Sequence, residues 1–97
     1  MTTTETTVIQ SPTEIDMATA GPLREQVLAA DADQTIVIDL TEVTFCDSTG
    51  LAALLAARDH VAAGAGRLVL RNPPAVVRRL FVITGLEDVF EIEGPQG

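Results

Sequence analysis

The residues that could do chemistry fall into one short run and a few isolated side chains. The run is Asp47, Ser48, Thr49 and Gly50. It follows an apolar stretch and precedes a long helical pattern. A hydroxyl at such a junction has two readings. Asp, Ser and Thr satisfy the free N–H groups of a helix start, so the run is a cap. The same free amides and the helix dipole favour an anion, so an exposed hydroxyl there is also a good place for a phosphate. The two readings are compatible.

The isolated side chains exclude more than they offer. There is no lysine; the six basic residues are Arg24, Arg58, Arg67, Arg71, Arg78 and Arg79. A Walker-type phosphate loop and Schiff-base chemistry are therefore absent. One histidine and one cysteine cannot build a structural zinc site. A Ser–His pair would need Ser48 beside His60, but twelve helical residues separate them by about 18 Å. His60 reads as a solvent-facing helix residue. Cys46 reads as a small buried hydrophobe with no disulfide partner. Asp16, Asp39 and Asp47 could pair for acid–base work, but so small a chain promises no substrate pocket. The expectation is a non-enzyme that needs no cofactor and no metal.

The elements that must position the run are legible from periodicity. Thr7, Val8, Ile9 and Gln10 form a short strand that Ser11 and Pro12 end or place at a sheet edge. Residues 15–22 make a loop into a helix carrying Leu23, Val27 and Leu28 on one side and Arg24 and Glu25 on the other. Residues 35–40 are the strongest strand, and their continuous apolar run suits a central strand covered on both faces. Residues 41–46 continue in extended form. From residue 47 a helix carries Leu51, Leu54, Leu55, Arg58, Val61 and Ala62 in one stripe, and Gly64 and Gly66 stop it. Residues 67–71 form another apolar strand. Pro74 opens a helix bearing Val77, Leu80, Phe81 and Thr84, with Gly85 at its C′ position and Leu86 folding back. Residues 89–92 make a final strand or tail helix. Alternating strands and helices predict an α/β fold, a mostly parallel central sheet of about four strands with helices packed on it.

Ninety-seven residues, 46% of them hydrophobic, make one folded domain. The expected bounds are a flexible tail at 1–6, a domain at 7–93 and a flexible tail at 94–97. The net charge is −8. An acidic surface repels phosphate backbones and anionic headgroups, so neither nucleic acid nor membrane is an expected partner. The first residues lack the basic start and apolar centre of a secretory signal, and the expected location is cytoplasmic.

Residues 37–51, from Val37 through Asp39, Thr41, Phe45 and Asp47 to Leu51, resemble the central motif of the STAS domain family, most closely the bacterial anti-sigma factor antagonists. Glu14, Ile15 and Asp16 through Arg24 resemble that family's loop and first helix. Gly66 to Leu68 and the stretch from Val76 to Leu86 also match. The resemblance spans about residues 8–92. It implies a STAS-type single domain that binds an anti-sigma factor, an ATP-dependent serine/threonine kinase, and thereby frees the sigma factor. Ser48 would be the phosphorylation site, and a PP2C-type phosphatase would reverse the modification. Asp16 and Asp47 would be its acidic neighbours. Met17, Ala18 and Thr19, with Thr49, Gly50 and Leu51, would join them in the docking surface. The sequence departs from the family in having only six polar residues before the first strand, where an extra strand or hairpin is common, and in Thr13, where glycine is common. Two other readings compete: a constitutive STAS subunit of a sensory or lipid-transport assembly, and a nucleotide-binding domain, which the missing lysine and glycine-rich loop disfavour.

Overall fold

The structure is a computed structural model, and it describes residues 5–94. Nine elements follow in order: β1 (Thr6–Gln10), β2 (Glu14–Ile15), α1 (Ala20–Ala29), β3 (Thr35–Asp39), β4 (Phe45–Cys46), α2 (Ser48–Ala62), β5 (Arg67–Arg71), α3 (Ala75–Thr84) and β6 (Glu91–Glu93). The main sheet is all parallel, in the order β1-β3-β5-β6. Parallel pairing requires a crossover between neighbours, and the three helices supply them. Strand β1 begins at Thr6, one residue before the expected bound, and it is an edge strand as the following Ser11 and Pro12 suggest. Residues 1–4 and 95–97, where most of both expected tails falls, lie outside the described residues.

One core holds the domain. Ile36 and Ile38 of β3 and Leu68 and Leu70 of β5 pack with Leu23 and Val27 of α1, Leu54 and Val61 of α2, and Val77 and Phe81 of α3. All three helices therefore cover the same face of the sheet. Strand side chains alternate in direction, so Val37 and Val69 point the other way. They are buried but stand outside that core. This corrects the expectation that residues 35–40 are sandwiched between helix layers. On the second face the register aligns Val8, Val37 and Val69 in one row and Gln10, Asp39, Arg71 and Glu93 in the next. Arg71 pairs with Glu93 at 2.9 Å, and Arg67 pairs with Glu91. Such exposed pairs are screened by solvent and add little stability, but they match charge across β5 and β6 on the helix-free face. Asp39 is held below the usual carboxylate range, chiefly by the hydrogen bond from the Thr41 hydroxyl.

Three further expectations change. Residues 41–46 do not run on as one strand. The chain turns at Thr41 and Glu42, and only Phe45 and Cys46 pair, with β2, in a separate two-stranded sheet. Leu28 is 44% exposed and Arg58 is also exposed, so neither belongs to the apolar stripe of its helix. Arg58 instead donates from Nε to the Val89 carbonyl. His60 does not simply face solvent. It is half-buried, and its Nε2 lies 2.9 Å from the carbonyl of Ala30, just past the end of α1.

The end of α3 follows its sequence signal. Gly85 takes the left-handed conformation (φ 75°), which a glycine adopts without side-chain penalty. Its N–H donates to Val82 and the Leu86 N–H donates to Phe81, which closes the helix as a Schellman turn. Phe81 stacks on Phe90 with centroids 5.0 Å apart, tying α3 to the segment before β6. Truncating this fully buried ring in Phe81→Ala should cost about 3–5 kcal/mol. The midpoint of urea denaturation should fall accordingly, with the slope unchanged.

Candidate functional site

The small β2–β4 sheet builds the site. Glu14 pairs with Phe45 and Ile15 with Cys46, in parallel. The Thr44 N–H donates to Thr13 at 2.7 Å and the Asp47 N–H to Ile15 at 3.3 Å. Asp16 and Asp47 are therefore equivalent residues, each one step past the end of its strand. Asp47 opens α2 directly, whereas Asp16 begins a turn that reaches the α1 N-cap at Thr19. The two chain segments enter α1 and α2 side by side.

Each aspartate has a structural duty. Asp47 is the N-cap of α2, and its Oδ1 accepts from the Gly50 N–H at 3.0 Å. Asp16 Oδ1 accepts from the Ala18 and Thr19 N–H groups, and the Thr19 hydroxyl donates to the Glu14 carbonyl. The capping reading of the Asp47 run is thus correct for the aspartate. Ser48 is different. It is the first residue of α2, it is exposed, and its hydroxyl has no hydrogen-bond partner among the described residues. The cap consumes the aspartate and leaves the serine available.

Gly50 explains why the run ends in glycine. A Cβ there would stand 2.8 Å from Ile15 Cγ2 and 3.0 Å from Cys46 Sγ, and nearer still to the Ile15 carbonyl oxygen. The first turn of α2 presses directly on β2 and β4. This revises part of the expected docking surface. Gly50 and Leu51 are buried, Leu51 in the core, so they hold the helix start in place and offer no exposed side chain. Met17, Ala18 and Thr49 are exposed, while Asp16, Thr19 and Asp47 are half-buried beside them. Met17, at 82% exposure, is the most open large apolar side chain near the site.

Two residues of this neighbourhood carried no functional reading in the sequence. Phe45 is 46% exposed on β4, two residues before the cap. Alternation against buried Cys46 was the signal for it. Arg24 lines the groove between α1 and α2 together with Thr49. Its placement opposite Leu23 and Val27 showed only that it faced out.

Among the described residues no cluster of histidine, cysteine or acidic side chains could hold a metal, and no helix is long and apolar enough to cross a membrane. The chain matches the family model described as Mlab, STAS domain, over residues 2–92. It belongs to the STAS domain family. It is 40% identical over 86 residues to a Listeria monocytogenes protein named anti-sigma-B factor antagonist, covering 87% of this chain and 75% of that one. Among solved structures it resembles the anti-sigma factor antagonist SpoIIAA in its unphosphorylated form. The TM-score is 0.77 at 30% identity, covering 97% of this chain and 84% of that one. The phosphorylated form of the Bacillus cell fate determinant SpoIIAA matches with a TM-score of 0.72 at 29% identity, covering 97% and 87%.

Cys46 is a free, buried cysteine against the first turn of α2. Burial pushes its thiol up to about 11 from 9.0, and the charge of Asp47 adds to this. Two pH units leave the thiolate about 100-fold scarcer at pH 8 than in a free thiol. Alkylation of native Cys46 by iodoacetamide at pH 8 should be slower than that of the denatured chain by more than about tenfold, since the higher-pKa thiolate is also the stronger nucleophile. Gly50→Ala should lower stability by about 1–3 kcal/mol in the same denaturation assay, because strand backbone must move to admit the methyl.

Proposed function

We propose that this STAS domain is an anti-sigma factor antagonist whose partner binding is switched by phosphorylation of Ser48. The observation that carries the reading is the unpartnered Ser48 hydroxyl, exposed at the first residue of α2 beside two aspartates that are already engaged. The partner is an anti-sigma factor serine/threonine kinase that uses ATP. The Ser48 Oγ attacks the γ-phosphorus, the new O–P bond forms, the bond to the β-phosphate breaks, and ADP leaves. The hydroxyl proton passes to a base of the kinase. A PP2C-type phosphatase hydrolyses the ester and restores the hydroxyl.

Unmodified, the domain offers Met17, Ala18, Thr49 and the Ser48 hydroxyl as a small, nearly neutral contact patch rimmed by Asp16 and Asp47. The kinase binds this patch in place of its sigma factor. A phosphate adds about −1.5 to −2 charges. Two unit charges about 4 Å apart near a protein surface interact by roughly 4 kcal/mol. Solvent screening halves such a term readily, and the remaining 2 kcal/mol is a factor of about 30 in affinity. The fold need not change, because the Ser48 hydroxyl makes no hydrogen bond among the described residues.

The names of the relatives and the SpoIIAA likeness support this reading. The test uses the cognate kinase with ATP and maps the modified residue. Ser48→Ala should abolish incorporation and keep binding within about threefold. Ser48→Asp should weaken binding by about 10–30-fold in calorimetry. Modification at another residue, or equal affinity for both variants and the parent chain, would sink the proposal; equal affinity would favour a constitutive interaction subunit.

A further inference from the structure

Helices α1 and α2 run side by side in the same direction. Their starts are joined through Ile15 and Asp47, and their ends through Ala30 and His60. Between them lies a shallow groove lined by Ala20, Gly21, Arg24, Thr49, Ala52 and Ala56. On α2 the lining begins at Thr49, the residue directly after Ser48. Ser48 therefore precedes the first α2 residue of this groove by one position. On α1, Arg24 follows Ala20 by four residues, about 6 Å along the axis. Its side chain is exposed and lines the same groove as Thr49, with Ala20, Gly21, Ala52 and Ala56 as the small residues around them.

Arg24 is also chemically unspent. Arg58, Arg67 and Arg71 sit next to carboxylates. The Arg78 Nε donates to the Pro73 carbonyl. Arg24 is exposed and has no ion pair or hydrogen bond among the described residues. In a chain of net charge −8, it is the cation lining the groove that begins on α2 at Thr49, next to Ser48.

We propose that Arg24 is the built-in counter-ion of the phosphate on Ser48. This rests on the reading that Ser48 is the modified residue. The guanidinium swings over the alanine floor and takes two phosphate oxygens in its fork, a geometry that a planar guanidinium matches and an ammonium does not. The phosphate then has Asp16 and Asp47 on the strand side and Arg24 on the groove side. It is drawn to the groove and held there. Phosphorylation in this arrangement changes two things at once. It adds negative charge at the patch, and it roofs the groove with Arg24, removing the groove from any partner that uses it.

The experiment installs phosphoserine at position 48 by genetic encoding, so that no kinase is required. The second ionisation of the phosphate, ordinarily near pH 6, is then followed by phosphorus NMR. Arg24→Gln should move its midpoint up by about half a pH unit, since a nearby cation favours the dianion. Arg24→Lys should fall between the parent and Arg24→Gln. Arg79→Gln removes the same charge from α3 and should leave the midpoint in place. Coincident titrations of the parent and Arg24→Gln would overturn the proposal. So would an equal shift in Arg79→Gln, which would show a bulk charge effect. Failure of a kinase to modify Ser48 is a separate result and would bear on the functional reading alone.

Discussion

The start of α2 lies against β2 and β4 at a distance that only glycine permits. The rest of the site depends on that contact. Gly50 lets the helix come down until its first turn meets the Ile15 carbonyl and the Cys46 sulfur. Once it is there, the Asp47 carboxylate can reach the Gly50 N–H, and the Asp47 N–H can reach Ile15. Ser48 is then the first residue that points out instead of in. Leu51 and Leu54 continue the same helix into the core. The exposed hydroxyl is rigidly placed because its neighbours on both sides are anchored, not because it makes a bond of its own. A side chain free of structural duty on a fixed backbone can be modified without a folding cost.

The charges divide the molecule in a way that suits this arrangement. On the helix-free face of the sheet, arginines and glutamates are matched across β5 and β6. Positive charge there is already committed. Around Ser48 the aspartates are engaged through their oxygens with backbone N–H groups, which are partial charges only. Their negative field still reaches the serine. Arg24 is the formal cation along the adjoining groove. Near Ser48 the formal negative charges are those of Asp16 and Asp47, and neither is in an ion pair among the described residues.

Much of this was legible in the sequence, for identifiable reasons. The strands at residues 35–39 and 67–71 have uninterrupted apolar runs, and β5 matches its expected bounds. The C′ glycine of α3 was readable because Gly85 stands just past an apolar helical stripe with Leu86 after it. The Asp47 run was readable as a cap because capping chemistry is local. What was not legible was non-local. Burial of apolar runs does not show which face a helix covers. Val37 is buried on the helix-free face, so its run looked like that of a sandwiched strand. The two-residue strands β2 and β4 are too short for any periodicity, and only their mutual pairing defines them. His60 looked exposed because its partner is a backbone carbonyl 30 residues away.

The same distinction separates the parts of the site. Ser48 and Asp47 could be singled out because a helix start is a property of consecutive residues. Gly50 looked like surface because its spacing is shared by any cap, and only the approach of β2 shows that it is a packing residue. Arg24 looked like ordinary solvated charge for the converse reason: nothing within its own helix distinguishes it from Glu25 beside it. Its significance comes from the parallel run of α1 and α2, which sets it in one groove with Thr49, the neighbour of Ser48. A small domain has few residues to spare for function, and here the site is made from the remainder of the packing problem. The strand ends supply caps, the caps orient a hydroxyl, and the helix pair leaves a groove with a single cation at its edge. Each step follows from burying the apolar face of α2 against two short strands, so a change in that packing would alter the site before it altered the fold.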